Sequence, residues 1–268
     1  ASRKELTDWI AGLMEDEDAL RSLLVANALV FYLNDALAVT GQRSTEETRF
    51  RLLQAARERL SRIREADPKN VLIANALSAS LNRLGDYCRL RRMSEDAKLP
   101  FDAFLPGREI LIRWSEGDER ALRYYQESLD ISRCCYNDNP MDRSAALNLA
   151  GALDRLGDSF FVRAVSTNTQ GDFYFNQSGR DYVSRALDFY QNSLKIRLRM
   201  HDAERFDRKV LRDLSISYSK LGNLHSRRRE EESEYMALKF LQKSLEIDRQ
   251  LCEINPPNAQ AQRDLSVS

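Results

Sequence analysis

The stretch Ala76–Leu90, "ALSASLNRLGDYCRL", reveals how the chain is organised, because closely related phrases occur twice more. The related stretches are "ALNLAGALDRLGDSFFV" from Ala146 and "DLSISYSKLGNLHSR" from Asp213, and each contains a Leu-Gly pair. A second phrase follows each copy, and its three versions are "ALRYYQESLDISR" from Ala121, "ALDFYQNSLKIRL" from Ala186 and "ALKFLQKSLEIDR" from Ala237. The chain is therefore built from an internal repeat with two phrases in each unit.

Fixed spacings support this register. A proline, or Arg205 in its place, precedes the leucine of each Leu-Gly pair by 16 positions: Pro68 to Leu84, Pro140 to Leu156 and Arg205 to Leu221. The distance from the glycine to the second phrase varies, at 36, 29 and 15 positions. The phrases "RDLSIS" and "RDLSVS", starting at Arg212 and Arg263, are 51 positions apart. The basic unit is therefore 51 residues long, and the two earlier copies carry inserts near residues 93–118 and 165–181.

Each phrase predicts an amphipathic helix. Apolar residues of the second phrase recur at near-helical spacing, as at Leu122, Tyr125 and Leu129, while charged residues occupy the other side. A glycine inside a helix costs about 1 kcal/mol relative to alanine, so the three Leu-Gly glycines predict that another backbone approaches closely. The Asp-Pro and Asn-Pro pairs predict helix ends. A helix pair cannot bury its apolar side alone, so we expect all-α pairs stacked as a solenoid.

The composition agrees with a helical protein and limits its partners. Hydrophobic residues make up 43% and charged residues 31%, with 10 Gly and 6 Pro. Lys plus Arg number 41 and Asp plus Glu 41, so no overall charge attracts nucleic acid or an anionic membrane. The four cysteines show no C-x-x-C spacing, and neither a membrane span nor a signal peptide is recognisable. These features predict a cytoplasmic protein without a membrane partner.

The two phrases resemble the tetratricopeptide repeat. The Leu-Gly pair, the small residue that opens the second phrase and the aromatic residue four positions later are the features that carry the resemblance. Leu81, Leu153 and Tyr218 stand at the first aromatic or leucine position of that pattern, and Tyr125, Tyr190 and Leu241 stand at the later aromatic one. The long unit resembles a bacterial variety with long repeats. The resemblance implies a right-handed superhelical α-solenoid of helix pairs with inserted loops.

The resemblance also divides the chain. It covers residues 48–268, with three recognisable repeats and the start of a fourth at Asn258. Residues 1–47 are predicted to form a helical cap or a degenerate repeat. Because the fourth repeat breaks off, we expect the 268 residues to be part of a longer chain.

No catalytic or metal-binding constellation is recognisable. His201 and His225, the two histidines, lie outside any zinc-site spacing, and neither a phosphate-binding glycine loop nor a nucleophile elbow occurs. The adjacent Cys134 and Cys135 predict one packed and one passive thiol. Arginine clusters such as "RRREEE" from Arg227 are balanced by nearby acids and are typical of a solvated face. We therefore expect no enzyme activity, no cofactor and no metal.

In the resemblance, the first helices line a concave surface that binds extended peptides or a partner's helix. The residues around Leu-Gly that it places there are Asn82, Asp86, Arg89, Asp154, Asp158, Phe161, Ser219, Asn223 and Arg227. The family's clamp for a terminal carboxylate uses basic and amide side chains, and the three aspartates depart from it. This departure predicts a partner with basic or amide groups. The same residues are equally consistent with a simple solvated surface.

The inserts are a second candidate surface. Phe104, Trp114, Phe173 and Tyr174 lie in them, outside the repeat core. Such aromatic residues either fold back over the core or contact a partner.

Three functions follow as hypotheses. The first is a non-catalytic protein interaction scaffold that binds a peptide or partner segment on its concave face. The second is a regulatory or sensor arm of a larger effector, since relatives in this resemblance are often joined to CHAT-type peptidases, signalling ATPases or kinases. The third is an RNA-associated subunit, which would require binding that falls steeply with salt. Nucleic acid is the less favoured partner.

Overall fold

The described part of the chain consists of α-helices joined by short turns and longer connections. The computed structural model describes residues 43–96, 116–166 and 177–254, apart from Phe206 and Arg229, and no strand occurs among them. Seven helices lie in this part of the chain: α1 (Arg43–Ala66), α2 (Val71–Asp96), α3 (Glu116–Asp138), α4 (Arg143–Ser166), α5 (Gln177–Ala203), α6 (Arg208–His225) and α7 (Glu231–Ile254). The predicted all-α class is confirmed. Residues 1–42 of the predicted cap, most of both inserts and the start of a fourth repeat lie outside the described residues, whereas residues 43–47 of that cap form the beginning of α1.

The repeat register maps directly onto the helices. The three Leu-Gly phrases lie in α2, α4 and α6, which we call the first helices. The phrases that open with alanine lie in α3, α5 and α7, which we call the second helices. Consecutive helices pack on each other in the pairs α1 with α2, α2 with α3, α5 with α6, and α6 with α7.

Each first helix begins at an equivalent capping residue. Asn70, Asp142 and Asp207 stand two positions after the proline or Arg205. Their side-chain oxygens accept hydrogen bonds from backbone N–H groups of the first helical turn, at 3.2 Å for Asn70, 2.8 and 3.3 Å for Asp142, and 2.8 and 3.0 Å for Asp207. Such caps stabilise a helix by about 1 kcal/mol each. The helix starts are therefore fixed by local sequence.

The helices form two compact units. Of the described residues, the first unit contains 43–96 and 116–152, and the second contains 153–166 and 177–254. The boundary falls within α4.

The core of the first unit lies between α1, α2 and α3. Leu53 and Leu60 of α1 pack with Leu81 and Leu84 of α2 and with Ile131 of α3, and each is at most 4% exposed. Burying a leucine side chain contributes about 2 kcal/mol. The apolar stripe of each helix thus faces its neighbours, as the periodicity predicts.

Small hydroxyl residues mark the crossing of α2 and α3. Ser78 Oγ lies 2.8 Å from Ser128 Oγ and 2.5 Å from Ser132 Oγ, and all three side chains are fully buried. Ser128 Oγ also donates to the backbone carbonyl of Ser78. The short side chains let the two helix backbones approach closely, while the hydroxyl groups satisfy one another.

The core of the second unit has the same design. Leu211, Leu214 and Tyr218 of α6 pack with Ile247 and Leu251 of α7, with α5 side chains at the edge. The crossing of α6 and α7 again contains serines, because Ser215 Oγ lies 2.9 Å from Ser244 Oγ.

The three Leu-Gly glycines make room for side chains of the second helices. A Cβ built on Gly85 would lie 2.3 Å from Tyr125 Cε1, and one on Gly157 would lie 2.5 Å from Tyr190 Cε1. The expectation of a close backbone was wrong for these two positions, since an aromatic ring fills the space. At Gly222 the side chain of Leu241 would lie at 2.7 Å, with the carbonyl oxygen of Ala237 at 3.4 Å.

Candidate partner-binding face on the first helices

The aspartate after each of the first two Leu-Gly pairs is bound by the tyrosine that packs on the glycine. In the first unit, Tyr125 Oη donates a hydrogen bond to Asp86 Oδ1 at 2.9 Å. In the second unit, Tyr190 Oη donates to Asp158 Oδ1 at 2.7 Å. The third repeat has Leu241 in place of the tyrosine, so this bond cannot form there. Two predicted site residues therefore also hold a helix pair together.

Asp158 of α4 forms an ion pair with Lys220 of α6, the next first helix. Lys220 Nζ of α6 lies 2.7 Å from Asp158 Oδ1 and 2.8 Å from Asp158 Oδ2. The sequence predicts a basic partner because it suggests carboxylates that no cation neutralises. The carboxylate of Asp158 is already neutralised by Lys220 within the unit, so it does not support that prediction.

Lys220 was not among the residues predicted from the sequence. A signal for it exists, because a basic residue precedes Leu-Gly in every copy, at Arg83, Arg155 and Lys220.

A second contact joins the same two elements. The guanidinium of Arg227, just beyond the end of α6, lies 5.5 Å from the ring centroid of Phe161 in α4. Both side chains are partly buried. A cation over an aromatic face is attracted by the ring without losing its charge. Two of the predicted residues are therefore brought together, and the guanidinium is held in place at the surface.

Asp154 lies inside the second unit. It is 6% exposed, and its Oδ2 lies 2.6 Å from Nη2 of Arg197 in α5, which is 7% exposed. Arg197 Nη1 also donates to Ser217 Oγ of α6. One buried guanidinium thus binds side chains of α4 and α6 together. Within the described part of the chain, Asp154 Oδ1 accepts no hydrogen bond.

The equivalent positions in the other repeats also face inward. Asn82 is 5% exposed, and its Oδ1 has no hydrogen-bond partner among the described residues. Ser219 Oγ lies 2.8 Å from the Oγ of the buried Ser244 in α7. Because Asn82 and Asp154 are almost fully buried, they are not part of the candidate face.

The accessible part of the predicted set is smaller. Asn223 is exposed on α6, and Asp86 and Arg89 are partly exposed on α2. With Asp158, Phe161 and Arg227, these residues form the surface that the first helices offer within each unit. The insert residues Phe104, Trp114, Phe173 and Tyr174 lie outside the described residues.

His225 is buried at the end of α6 and takes no part in this surface. It is 6% exposed, its ring lies 5.6 Å from that of Phe240, and neither ring nitrogen has a hydrogen-bond partner in the described ranges. Burial lowers the pKa of His225, and the nearby Arg228 lowers it further. The imidazole is therefore a neutral packing group.

Burial also raises the pKa values of two other groups, the carboxyl group of Asp213 in α6 and the thiol of Cys135 in α3. It raises the pKa of Asp213, although the neighbouring Arg197 acts in the opposite direction. It raises the pKa of the Cys135 thiol as well, which keeps that thiol protonated. Cys135 packs in the core and Cys134 is exposed, the division that the sequence predicts. Among the described residues, no three His, Cys, Asp or Glu side chains are grouped so as to hold a metal ion.

Comparison with known proteins gives no assignment. No protein-family model matches the chain, and no curated protein is significantly similar to it. Within the described ranges, no helix combines the length and apolar character needed to cross a membrane.

Proposed function

We propose that the chain is a non-catalytic protein interaction scaffold of the tetratricopeptide-repeat type. In this proposal the helix pairs stack into a right-handed superhelical α-solenoid, and the first helices bind a segment of a partner protein on their concave side. The spacing of the four cysteines, without a C-x-x-C pair, supports a reducing, cytoplasmic location.

The observation that carries the proposal is the direct pairing of α4 with α6. Lys220 of α6 contacts Asp158, and Arg227 just after α6 contacts Phe161, although a whole second helix separates the two residues of each contact in the sequence. Equivalent faces of consecutive first helices are therefore neighbours in the second unit. Side-by-side first helices supply the continuous polar wall that an extended peptide needs.

Asn223 is the best position for a test because it is exposed and its side chain is not part of the core. Peptides that bind the intact chain would be selected from a displayed random library, and their affinities measured by isothermal titration calorimetry. We expect Asn223→Ala to weaken binding about tenfold, the effect of losing one or two hydrogen bonds at a desolvated contact.

Gln242→Ala is the matched control, since it removes an exposed amide from the second helix α7. Far-ultraviolet circular dichroism would show that both variants keep their helix content. Equal affinities of the two variants for every selected peptide would refute the first-helix face as the binding site.

A further inference from the structure

The first helix of the third repeat is unusually basic. α6 contains four basic residues and one acidic residue, a net charge of +3, whereas α2 and α4 each have a net charge of +1. Arg227 and Arg228 follow shortly after α6, whereas α7 contains six acidic and three basic residues, a net charge of −3. Charge is therefore segregated between the two helices of the repeat.

Three of the four basic residues of α6 lie on the side of the helix away from its buried leucines. Six residues follow one another in steps of three and four, which places the first five along one side of α6 and leads to the sixth just beyond its end. They are Lys209, Arg212, Ile216, Lys220, Asn223 and Arg227, and we call them the basic stripe. Leu211, Leu214 and Leu221 of the opposite side are buried. Four members of the stripe are cationic, one is an amide, one is apolar and none is acidic.

The members of the stripe are accessible to different degrees. Lys209, Ile216 and Asn223 are exposed, and the other three are partly buried. From Lys209 to Asn223 the stripe runs about 21 Å along the helix, the reach of roughly six residues of extended chain. Its size therefore fits a short peptide segment.

Neighbouring groups hold two of the cations in place. The carboxylate of Asp158, which also accepts a hydrogen bond from Tyr190, anchors Lys220, and Phe161 supports Arg227. Asp213 flanks the stripe and is partly buried. Positioned guanidinium and ammonium groups bind carboxylates well because little side-chain freedom is lost on binding.

We propose that the basic stripe binds an extended peptide segment rich in aspartate and glutamate side chains. The inference rests on the proposed function and names the chemistry of the partner. Carboxylates would pair with Lys209, Arg212 and Arg227, while Lys220 stays on Asp158. The Asn223 amide would bond the peptide backbone, and Ile216 would cover an apolar side chain. Such complementarity also speeds association.

A nucleic acid suits the stripe less well. Single strands are bound by positive grooves in which bases stack on exposed aromatic rings, and no member of the stripe is aromatic. Phe161, the aromatic ring beside it, is covered by Arg227. The apolar Ile216 at the centre of the stripe also fits a peptide better than a phosphate backbone.

The test uses the intact chain and fluorescein-labelled peptides of about eight residues with amidated C-termini, so that only side chains carry negative charge. One peptide alternates Glu with Gly and Leu, a second replaces Glu by Gln, and a third replaces it by Lys. A labelled single-stranded RNA of similar length completes the set. Binding would be followed by fluorescence anisotropy at about 50 mM and about 300 mM NaCl, a change that shortens the Debye length about 2.5-fold.

The Glu peptide should bind at least about tenfold more tightly than the Gln peptide and should weaken at high salt. Lys209→Gln combined with Arg227→Gln should reduce that affinity about tenfold or more. The control is Lys239→Gln with Arg249→Gln, which removes the same charge from exposed positions of α7. It should leave the affinity unchanged.

The outcomes separate this inference from the proposed function. Preference for the Gln or Lys peptide, tighter binding of RNA, or equal losses in the two double variants would overturn the inference. If Asn223→Ala still weakens the peptides selected from the library, the scaffold itself stands. If no peptide of any charge binds and the library yields none, both proposals fail.

Discussion

Replacing Gly85 with alanine should destabilise the first unit, although alanine is the better helix former. The added Cβ would lie 2.3 Å from Tyr125 Cε1 and 2.7 Å from both Cδ1 and Cζ. The ring cannot move aside easily, because Tyr125 is fully buried and its hydroxyl group is bound to Asp86 at 2.9 Å. Either the ring moves and weakens its hydrogen bond to Asp86, or it stays in place and clashes with the new Cβ.

The expected change in the free energy of unfolding is the sum of one stabilising and two destabilising contributions. Helix propensity favours alanine over glycine by about 1 kcal/mol. Overpacking a tight core costs about 1–3 kcal/mol, and weakening the hydrogen bond to Asp86 costs about 1 kcal/mol more. We expect a net loss of about 1–3 kcal/mol for Gly85→Ala. Gly222→Ala should be closer to neutral, because Leu241 is partly exposed and no hydroxyl group anchors it.

The assay is urea-induced unfolding followed by far-ultraviolet circular dichroism. Arrays of helix pairs need not unfold in one step, so midpoints and slopes should both be compared. Tyr125→Leu provides the matched background, in which Gly85→Ala should cost less than in the parent chain. The packing argument is refuted if Gly85→Ala raises stability as propensity alone predicts, or if its cost is the same in both backgrounds.

Three further predictions test the interior. Acidification from about pH 7.5 to about pH 5.5 should destabilise the α6 and α7 pair, because His225 has a pKa below its ordinary 6.5 when folded and the unfolded chain takes up the proton first; equal pH dependence in His225→Phe, measured by urea midpoints, would contradict this. Arg197→Met should cost about 3–5 kcal/mol by leaving Asp154 buried without its cation, and adding Asp154→Leu should restore most of the loss; a double variant as unstable as the single one would argue against the pair. Ser244→Val should lower the melting temperature more than Ser244→Ala, since Ser244 is fully buried at the helix crossing, and equal shifts would exclude a tight crossing.

The helix pairs could be predicted from the sequence because the repeat constrains them three times over. A fixed spacing from Pro68 to Leu84 and its equivalents predicts the same local structure in every copy, and the described helices follow that register. The glycines could be recognised as points of close approach. The neighbour could not, since an absent side chain indicates space and says nothing about whether a backbone or a ring such as that of Tyr125 fills it.

The site was harder to predict because polarity does not reveal burial. Asn82 and Asp154 look like surface residues in the sequence, and the structure buries both. The partner of Asp154 is Arg197, and the repeat register aligns Arg197 with Ser132 and Asp248. A charged residue at this inward position was the sequence feature that could have indicated a buried ion pair. The contact between Lys220 and Asp158 joins residues 62 positions apart and needs the stacking geometry to be known first.

The join between the two helices of each repeat varies widely in length. It measures 19 residues between α2 and α3, 10 between α4 and α5, and 5 between α6 and α7. In all three cases a side chain of the second helix packs against a glycine of the first helix. Packing between the helices therefore holds each pair together at very different lengths of connection. A reporter or a recognition loop inserted between Ser226 and Glu230, the shortest connection, should therefore leave the packing of α6 on α7 intact.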